Sequence, residues 1–530
     1  MKKILKNKLS ILIVGTATLM SSCTKNFEEY NTDYSGVTEE QAQFDYNHIG
    51  GYFPQMQQMI YSNYNWGWGT NWPFQIMQNL NADIFSGYMM TPTPFAGNIN
   101  NTNYALVDGW NASAWDYTYW FMMPALKSVE DLTDNDKYLH FNAVAKVLKV
   151  LALSRVSAQY GPVIYTHYGE SATGGEYDSE PELYNAFFSD LDMADETLKS
   201  FVAANPDAKP FARFDNFFGG DYDLWAKFAN SLRLRLAMRI SKVSPALAQE
   251  QAEKAIANGV FTEGEIAQVI APGYTHPLAA ISGSWGDIAM SAEMESILTG
   301  YNDPRISKFF ANVTDETITN EYKGIRQGIE IDAKGTYGGH SLVNFSPTEP
   351  VVLMTSAEVF FLRAEGALNG WNMEGTASSL YESGVNESFS QWGLDASDYL
   401  ESDLMPAEYV DVKNSTNSVA SDSEYMNKVS PKWDDATDDD IKLQKIITQK
   451  WIAMFPEGNE AWTEYRRTGY PVLFPLVINN SQGVIDSDNG IKRLNFSVTE
   501  KTNNPDGYNE AVNKLGGPDN GATALWWDVD

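Results

Sequence analysis

The chain has 530 residues and carries 37 basic against 69 acidic side chains, a formal charge of −32. Hydrophobic residues make up 43% of it and the mean hydropathy is −0.34, values of a globular body rather than of a disordered or polytopic chain. A body this acidic, with no basic stripe to offset it, repels phosphate backbones and argues against a nucleic-acid partner.

Lys2, Lys3, Lys6 and Lys8 precede the short apolar stretch LSILIVGTATLM, and Ser21 and Ser22 lead into Cys23, the only cysteine. This order predicts a secretory signal over 1–22, too short and wrongly flanked for a spanning helix. Ser-Ser-Cys directly after the apolar stretch resembles a bacterial lipobox, with Met20 standing where that pattern prefers leucine. Cys23 is then expected to carry acyl chains, each adding about 0.8 kcal/mol per buried methylene, and more than one chain makes a stable anchor. No later run of 18 apolar residues occurs. The expected organisation is a lipoprotein signal peptide (1–22), a polar, acidic, lipidated tether (23–40) and a single tethered body (41–530).

The first unusual stretch of the body is SNYNWGWGTNWPF, residues 62–74, where Trp66, Trp68 and Trp72 are interleaved with Gly67, Gly69 and Pro73. Glycine and proline this dense break both helix and strand, so these aromatics are expected on a loop. Helices follow further along. HFNAVAKVLKVLALSRVSAQYG sets Val144, Leu148, Leu151 and Ala158 on one side and stops at Gly161–Pro162. In LWAKFANSLRLRLAMRIS, Leu224, Phe228, Leu232, Leu236 and Ile240 form one buried row, Asp221 or Asp223 can cap it, and Arg233, Arg235 and Arg239 are expected solvated or ion-paired on the other faces. SPALAQEQAEKAIANGVF predicts a further helix ending at Gly259. TSAEVFFLRAEGALNG and TASSLYESGVNESFSQWG predict a helical hairpin, with Ala364, Ala367, Ala377 and Gly384 small enough for close helix contact. Its dimensions suit a tetratricopeptide-type unit without the full repeat consensus. Residues 62–118, 270–350, 400–440 and 476–530 are rich in Gly, Asn, Asp and aromatics and are expected to be irregular. The predicted fold is therefore predominantly all-α, a helical-hairpin scaffold beside a large loop-built region, with little β.

Enzyme signatures are missing. The histidines at 48, 140, 167, 276 and 340 are scattered without metal spacing, and SGSWG at 282–286 lacks the first glycine of a nucleophile elbow. No catalytic residue and no cofactor are assigned. The acidic runs TDDD (437–440) and IDSDNG (485–490) could hold structural calcium, but neither completes an EF-hand loop, and solvated acidic loop is the better reading.

Aromatic content is the outstanding feature, with 15 Trp, 28 Tyr and 26 Phe. Flat aromatic rings match the apolar C–H face of a sugar, and rim Asn, Asp, Gln and Arg can bond its hydroxyls. NYNWGWGTNWPF, NADIFSGYMMTP and APGYTHPLAAISGSWGD have this mixture. They nominate Trp68, Trp72 and Trp285 as stacking platforms with Trp66 and Tyr88 in support, against the alternative that each ring seals a loop onto the core. Trp110, Trp115 and Trp120, spaced at five, read as helix-side packing.

Seven ordered blocks carry a family resemblance. Among them are FQIMQNLNADIFSGYMM, AVAKVLKVLALSRVSAQYGPVIY, LTGYNDPRISKFF, IITQKWIAMFPEGNEAWTEYRRTGYP and the closing RLNFSVTEKTNN…ALWWD. With the lipobox, they resemble the SusD/RagB-type outer-membrane lipoproteins of Bacteroidetes, and Glu28–Glu29 resembles their surface-export signal. The resemblance implies a tetratricopeptide-like helical fold with a loop-borne ligand site. It also implies lipid anchoring at the outer membrane facing the cell surface, a SusC-like TonB-dependent transporter as partner, and oligosaccharide binding without catalysis. A peptide-binding or protein-interaction lipoprotein of a related uptake complex is the alternative.

Replacing Cys23 with alanine is expected to leave the protein periplasmic or unprocessed. Continued fractionation with the outer membrane in detergent-free buffer would overturn the anchoring argument.

Overall fold

The computed structural model describes residues 43–61, 72–133, 136–171, 174–270, 273 and 275–529. Two compact units result, Met1–Gly51 and Tyr52–Asp530. Of the first, residues 43–51 are described. They hold a 3-10 turn, Phe44–Tyr46, and one helical turn, Asn47–Gly50, with left-handed backbone at Asp45 and Tyr46.

In the second unit the long helices are α1 (Met123–Thr133), α2 (Leu139–Tyr160), α3 (Glu180–Ala204), α4 (Tyr222–Arg239), α5 (Pro245–Asn258), α6 (Ala292–Gly300), α7 (Ser356–Leu368), α8 (Ala377–Gln391), α9 (Asp439–Ala453), α10 (Gly458–Thr468) and α11 (Pro505–Leu515). Helices α1 to α5 pack each against the next, α7 packs on α8 and α9, and α4 joins the two groups through α7. The boundaries expected from sequence hold. Asp221 accepts from the amides of Asp223 and Leu224 to cap α4, Thr355 caps α7, and Gly161 and Gly259 close α2 and α5 with positive φ. Strand content is small among the described residues. Strands β1 (Met89–Met90) and β3 (Ala289–Met290) form one antiparallel pair, and β2 (Ile266–Val269) and β4 (Val351–Thr355) form another.

Helix α3 is an element for which the sequence reading made no provision. Its signals are nonetheless local: Ser179 and Glu182 form a capping box, and Leu183, Phe187, Leu191, Ala194 and Leu198 make a buried row. The segments expected to be irregular also contain α6 and α11. The acidic run at 437–440 serves a helix terminus, with Asp438 accepting from the Ile441 amide to cap α9.

The arginines of α4 are not solvated. Arg233 reaches Asp192 at 2.5 Å, Arg235 holds Glu358 through two bonds at 2.6 and 2.7 Å, and Arg239 meets Glu460 at 2.6 Å. Arg235, Arg239, Glu358 and Glu460 are buried, and they tie α4 to α7 and α10. Arg467 of α10 adds a bidentate contact to Glu365 (2.6 and 2.7 Å) and one to Glu464 (2.6 Å), while Lys450 of α9 meets Glu464 at 2.9 Å. Arg155 of α2 meets Glu457 at 2.7 Å. Burial by itself would raise the Glu464 carboxyl, but Arg467 and Lys450 together hold it below the usual carboxylate range.

The α7–α8 hairpin depends on small residues, as its sequence predicts. Ala364 is fully buried, and a Cβ on Gly384 would lie 2.8 Å from the Phe361 ring. Gly384→Leu is therefore expected to lower unfolding free energy by roughly 1–3 kcal/mol through overpacking, read by denaturant titration. An unchanged midpoint would refute close packing at that position.

Candidate functional site

Trp66 and Trp68 fall in 62–71, outside the described residues, as does Cys23. Trp72 begins a one-turn helix, Trp72–Phe74, that runs into a π-helical turn, Gln75–Asn79. Pro73 and Phe74 turn inward, whereas Trp72 keeps 46% of its surface exposed. Trp285 ends a second π-helical turn, Ala279–Ser284, and is 37% exposed. The next residue, Gly286, takes φ +63°, a conformation that suits glycine and lets the chain turn back toward β3.

One carboxylate draws these segments together. Asp287 accepts from Thr93 Oγ1 at 2.7 Å, from Lys334 Nζ at 2.6 Å and, more weakly, from Gln75 Nε2 at 3.5 Å. Lys334 also donates to the Trp285 carbonyl at 2.6 Å. Asn98 pairs with both backbone groups of Ile331, which ties the 95–99 turn to the segment leading to Lys334. Four separate pieces of chain therefore meet at Asp287. Two of them carry an exposed tryptophan close in sequence to the junction, Trp72 before Gln75 and Trp285 before Asp287.

Two of these segments are fastened further along the chain. The turn that starts at Gln75 also carries Gln78, which accepts from Arg155 Nη2 at 3.0 Å and donates to Asp83 at 3.0 Å. Beyond Asp287 the chain enters β3, whose partner is β1.

Tyr88, expected as a supporting platform, precedes β1 and is not presented to solvent. It is completely buried, donates its hydroxyl to the Trp451 carbonyl, and packs its ring 4.9 Å from Trp451 and 5.3 Å from Phe455. Burial raises its hydroxyl pKa well above the ordinary value. Its apolar ring and satisfied hydroxyl make it a core residue that fixes β1 on α9, and it cannot stack on a ligand. Trp115 is buried as expected, stacked on Tyr177, but Trp120 is 52% exposed and Trp110 leans edge-on against Phe95.

Thr93, Gln75, Asp287 and Lys334 were not nominated from the sequence. They are 18 to 259 positions apart and no local pattern pairs them; the aspartate's place two residues after a loop tryptophan is the one available signal. The histidines give no catalytic geometry. His276 is buried against Phe345, and desolvation lowers it to about 3. Among the described residues no group of His, Cys, Asp or Glu could hold a metal ion, and no helix is long and apolar enough to cross a membrane.

Residues 29–528 match the family model SusD-like, described as Susd and RagB outer membrane lipoprotein. A chitin-binding SusD homolog from Flavobacterium johnsoniae is similar at 45% identity and a TM-score of 0.87, over 91% of this chain and 99% of that one. A SusD homolog from Bacteroides vulgatus is similar at 41% identity and a TM-score of 0.87, over 92% and 99%. A SusD-like protein from Bacteroides thetaiotaomicron follows at 33% and 0.83, over 91% and 99%. No curated protein matches the sequence.

Lys334→Met is expected to speed backbone hydrogen exchange across 285–287 while lowering global stability by less than about 1 kcal/mol, since the Lys334–Asp287 pair is part-exposed. Unchanged exchange there would show that Lys334 does not hold the Trp285 turn.

Proposed function

We propose that this chain, which belongs to the SusD/RagB family of outer-membrane lipoproteins, captures glycans by stacking sugar rings on Trp72 and Trp285. The observation that carries this reading is the junction at Asp287. It fastens together two segments that each carry an exposed indole, and the bonds that join them bring hydroxyl, amide, carboxylate and ammonium groups to the junction. An indole offers a broad apolar face at little conformational cost, and Asp287, Lys334, Thr93 and Gln75 can exchange hydrogen bonds with hydroxyls at the ring edges. The anchoring bonds make the platform pre-organised, so less freedom is lost on binding.

Trp66 and Trp68, which enter the same segment from its N-terminal side, extend the platform in this reading. The protein is lipidated at Cys23, faces the cell surface, and passes its ligand to a SusC-like TonB-dependent transporter. It binds and delivers rather than cleaves. The chitin-binding relative makes oligomers of N-acetylglucosamine the first ligands to test.

Calorimetric titration of the mature protein with these oligomers, and with a panel of other glycans, measures the claim. Trp72→Ala and Trp285→Ala are each expected to weaken binding by about 1–3 kcal/mol, roughly ten- to hundredfold, with thermal melting preserved. Wild-type affinity in both variants would place the glycan elsewhere.

A further inference from the structure

A cavity of about 350 Å³ lies between the β2–β4 pair and the α7–α8 hairpin, and it shares no lining residue with the Trp72–Trp285 surface. One wall is aromatic. The rings of Phe345 and Trp392 are nearly parallel, 19° apart with centroids at 6.4 Å, and Phe455 sits 6.0 Å from Phe345. Phe309 braces them from behind, 5.4 Å from Trp392 and 4.7 Å from Phe455. Phe455 is buried, whereas Phe345 and Trp392 are half-buried at the cavity wall. The remaining lining brings three carboxylates, Glu265, Glu349 and Glu387, and no basic side chain.

The carboxylates are not equivalent. Glu265 is occupied on both oxygens, by Lys227 Nζ at 2.5 Å and by the Thr262 amide at 2.7 Å. Glu387 accepts from the Gly264 amide at 2.8 Å and from Ser356 Oγ at 2.7 Å, both on Oε2, which leaves Oε1 for a ligand. Glu349 accepts from Ser346 Oγ at 3.1 Å through one oxygen.

We propose that this cavity is a second ligand site, taking a single pyranose-sized ring that bears an amine or no charge and rejecting acidic sugars. Its volume is at the small end of ligand pockets, about 300–1,000 Å³, and suits one ring rather than a chain. The Phe345–Trp392 wall matches the apolar face of such a ring, and an ammonium group beside an indole gains cation–π attraction. Glu387 and Glu349 accept from hydroxyls, and more strongly from an ammonium, because both partners are then charged. A carboxylate on the ligand would instead meet like charge, and Lys227, the cation on Glu265, is already paired.

Saturation-transfer NMR on the detergent-solubilised full-length protein, with D-glucosamine, D-glucose and D-glucuronate as probes, tests this. Glucosamine is expected to bind several-fold more tightly than glucose, with no saturable binding of glucuronate. Trp392→Ala and, as a second variant, Phe345→Ala are each expected to lower glucosamine affinity about tenfold or more. Glu387→Gln should narrow the gap between glucosamine and glucose. Binding of glucuronate equal to that of glucosamine, absence of saturable glucosamine binding, or unchanged glucosamine affinity in Trp392→Ala and Phe345→Ala would overturn the second site. The oligomer titrations at Trp72 and Trp285 stand or fall independently of these results.

Discussion

Buried ion pairing between helices is the constraint on which this structure turns. Arg235 and Arg239 from α4, Glu358 and Glu365 from α7, Lys450 from α9, and Glu460, Glu464 and Arg467 from α10 meet away from water. Such pairs add little net stability over an apolar core, because desolvating both ions offsets their attraction. Their weight lies in what happens when a partner is missing. An uncompensated buried charge costs about 3–5 kcal/mol, so helices that shift register are strongly disfavoured. In this view the network selects one arrangement of α4, α7, α9 and α10 out of the several that apolar rows alone would permit.

The network also reaches the candidate glycan surface. Arg155 pairs with Glu457 just before α10 and, with its other nitrogen, donates to Gln78. Gln78 shares a π-helical turn with Gln75, which reaches Asp287. On the other side, Tyr88 and the indole nitrogen of Trp451 bond across between the β1 segment and α9, and β1 carries β3, which follows Asp287. The rings of Trp72 and Trp285 thus extend from segments whose inner ends are fastened to the helical core. A loop surface built this way can remain exposed and still keep its shape.

The helices were legible for a physical reason. A row such as Phe228, Leu232, Leu236 and Ile240 repeats at the helical period because one face must leave water, and caps such as Asp221 and Thr355 supply acceptors that the first turn lacks. A close approach at Gly384 was readable too, since a glycine in an amphipathic helix weakens it unless something packs there, but that Phe361 is what packs there was not. Tyr88 was misread because an aromatic among Gly, Ser and Met looks the same whether it faces a ligand or plugs a core. The arginines of α4 were half-read: their pairing could be expected, but their depth could not, since the acids that neutralise Arg235 and Arg239 lie over 100 residues away.

By itself the sequence determined the acidic charge, the helical scaffold and the family, because each is written in local composition, spacing or ordered motifs. Only the tertiary structure decided which aromatics reach solvent, that Gln75, Thr93, Asp287 and Lys334 converge, and that Phe345, Trp392 and Phe455 wall a cavity with Glu387. Exposure and convergence are properties of how distant segments pack. Hydrophobic burial rewards any aromatic equally until the neighbouring segments that cover it, or leave it bare, are in place.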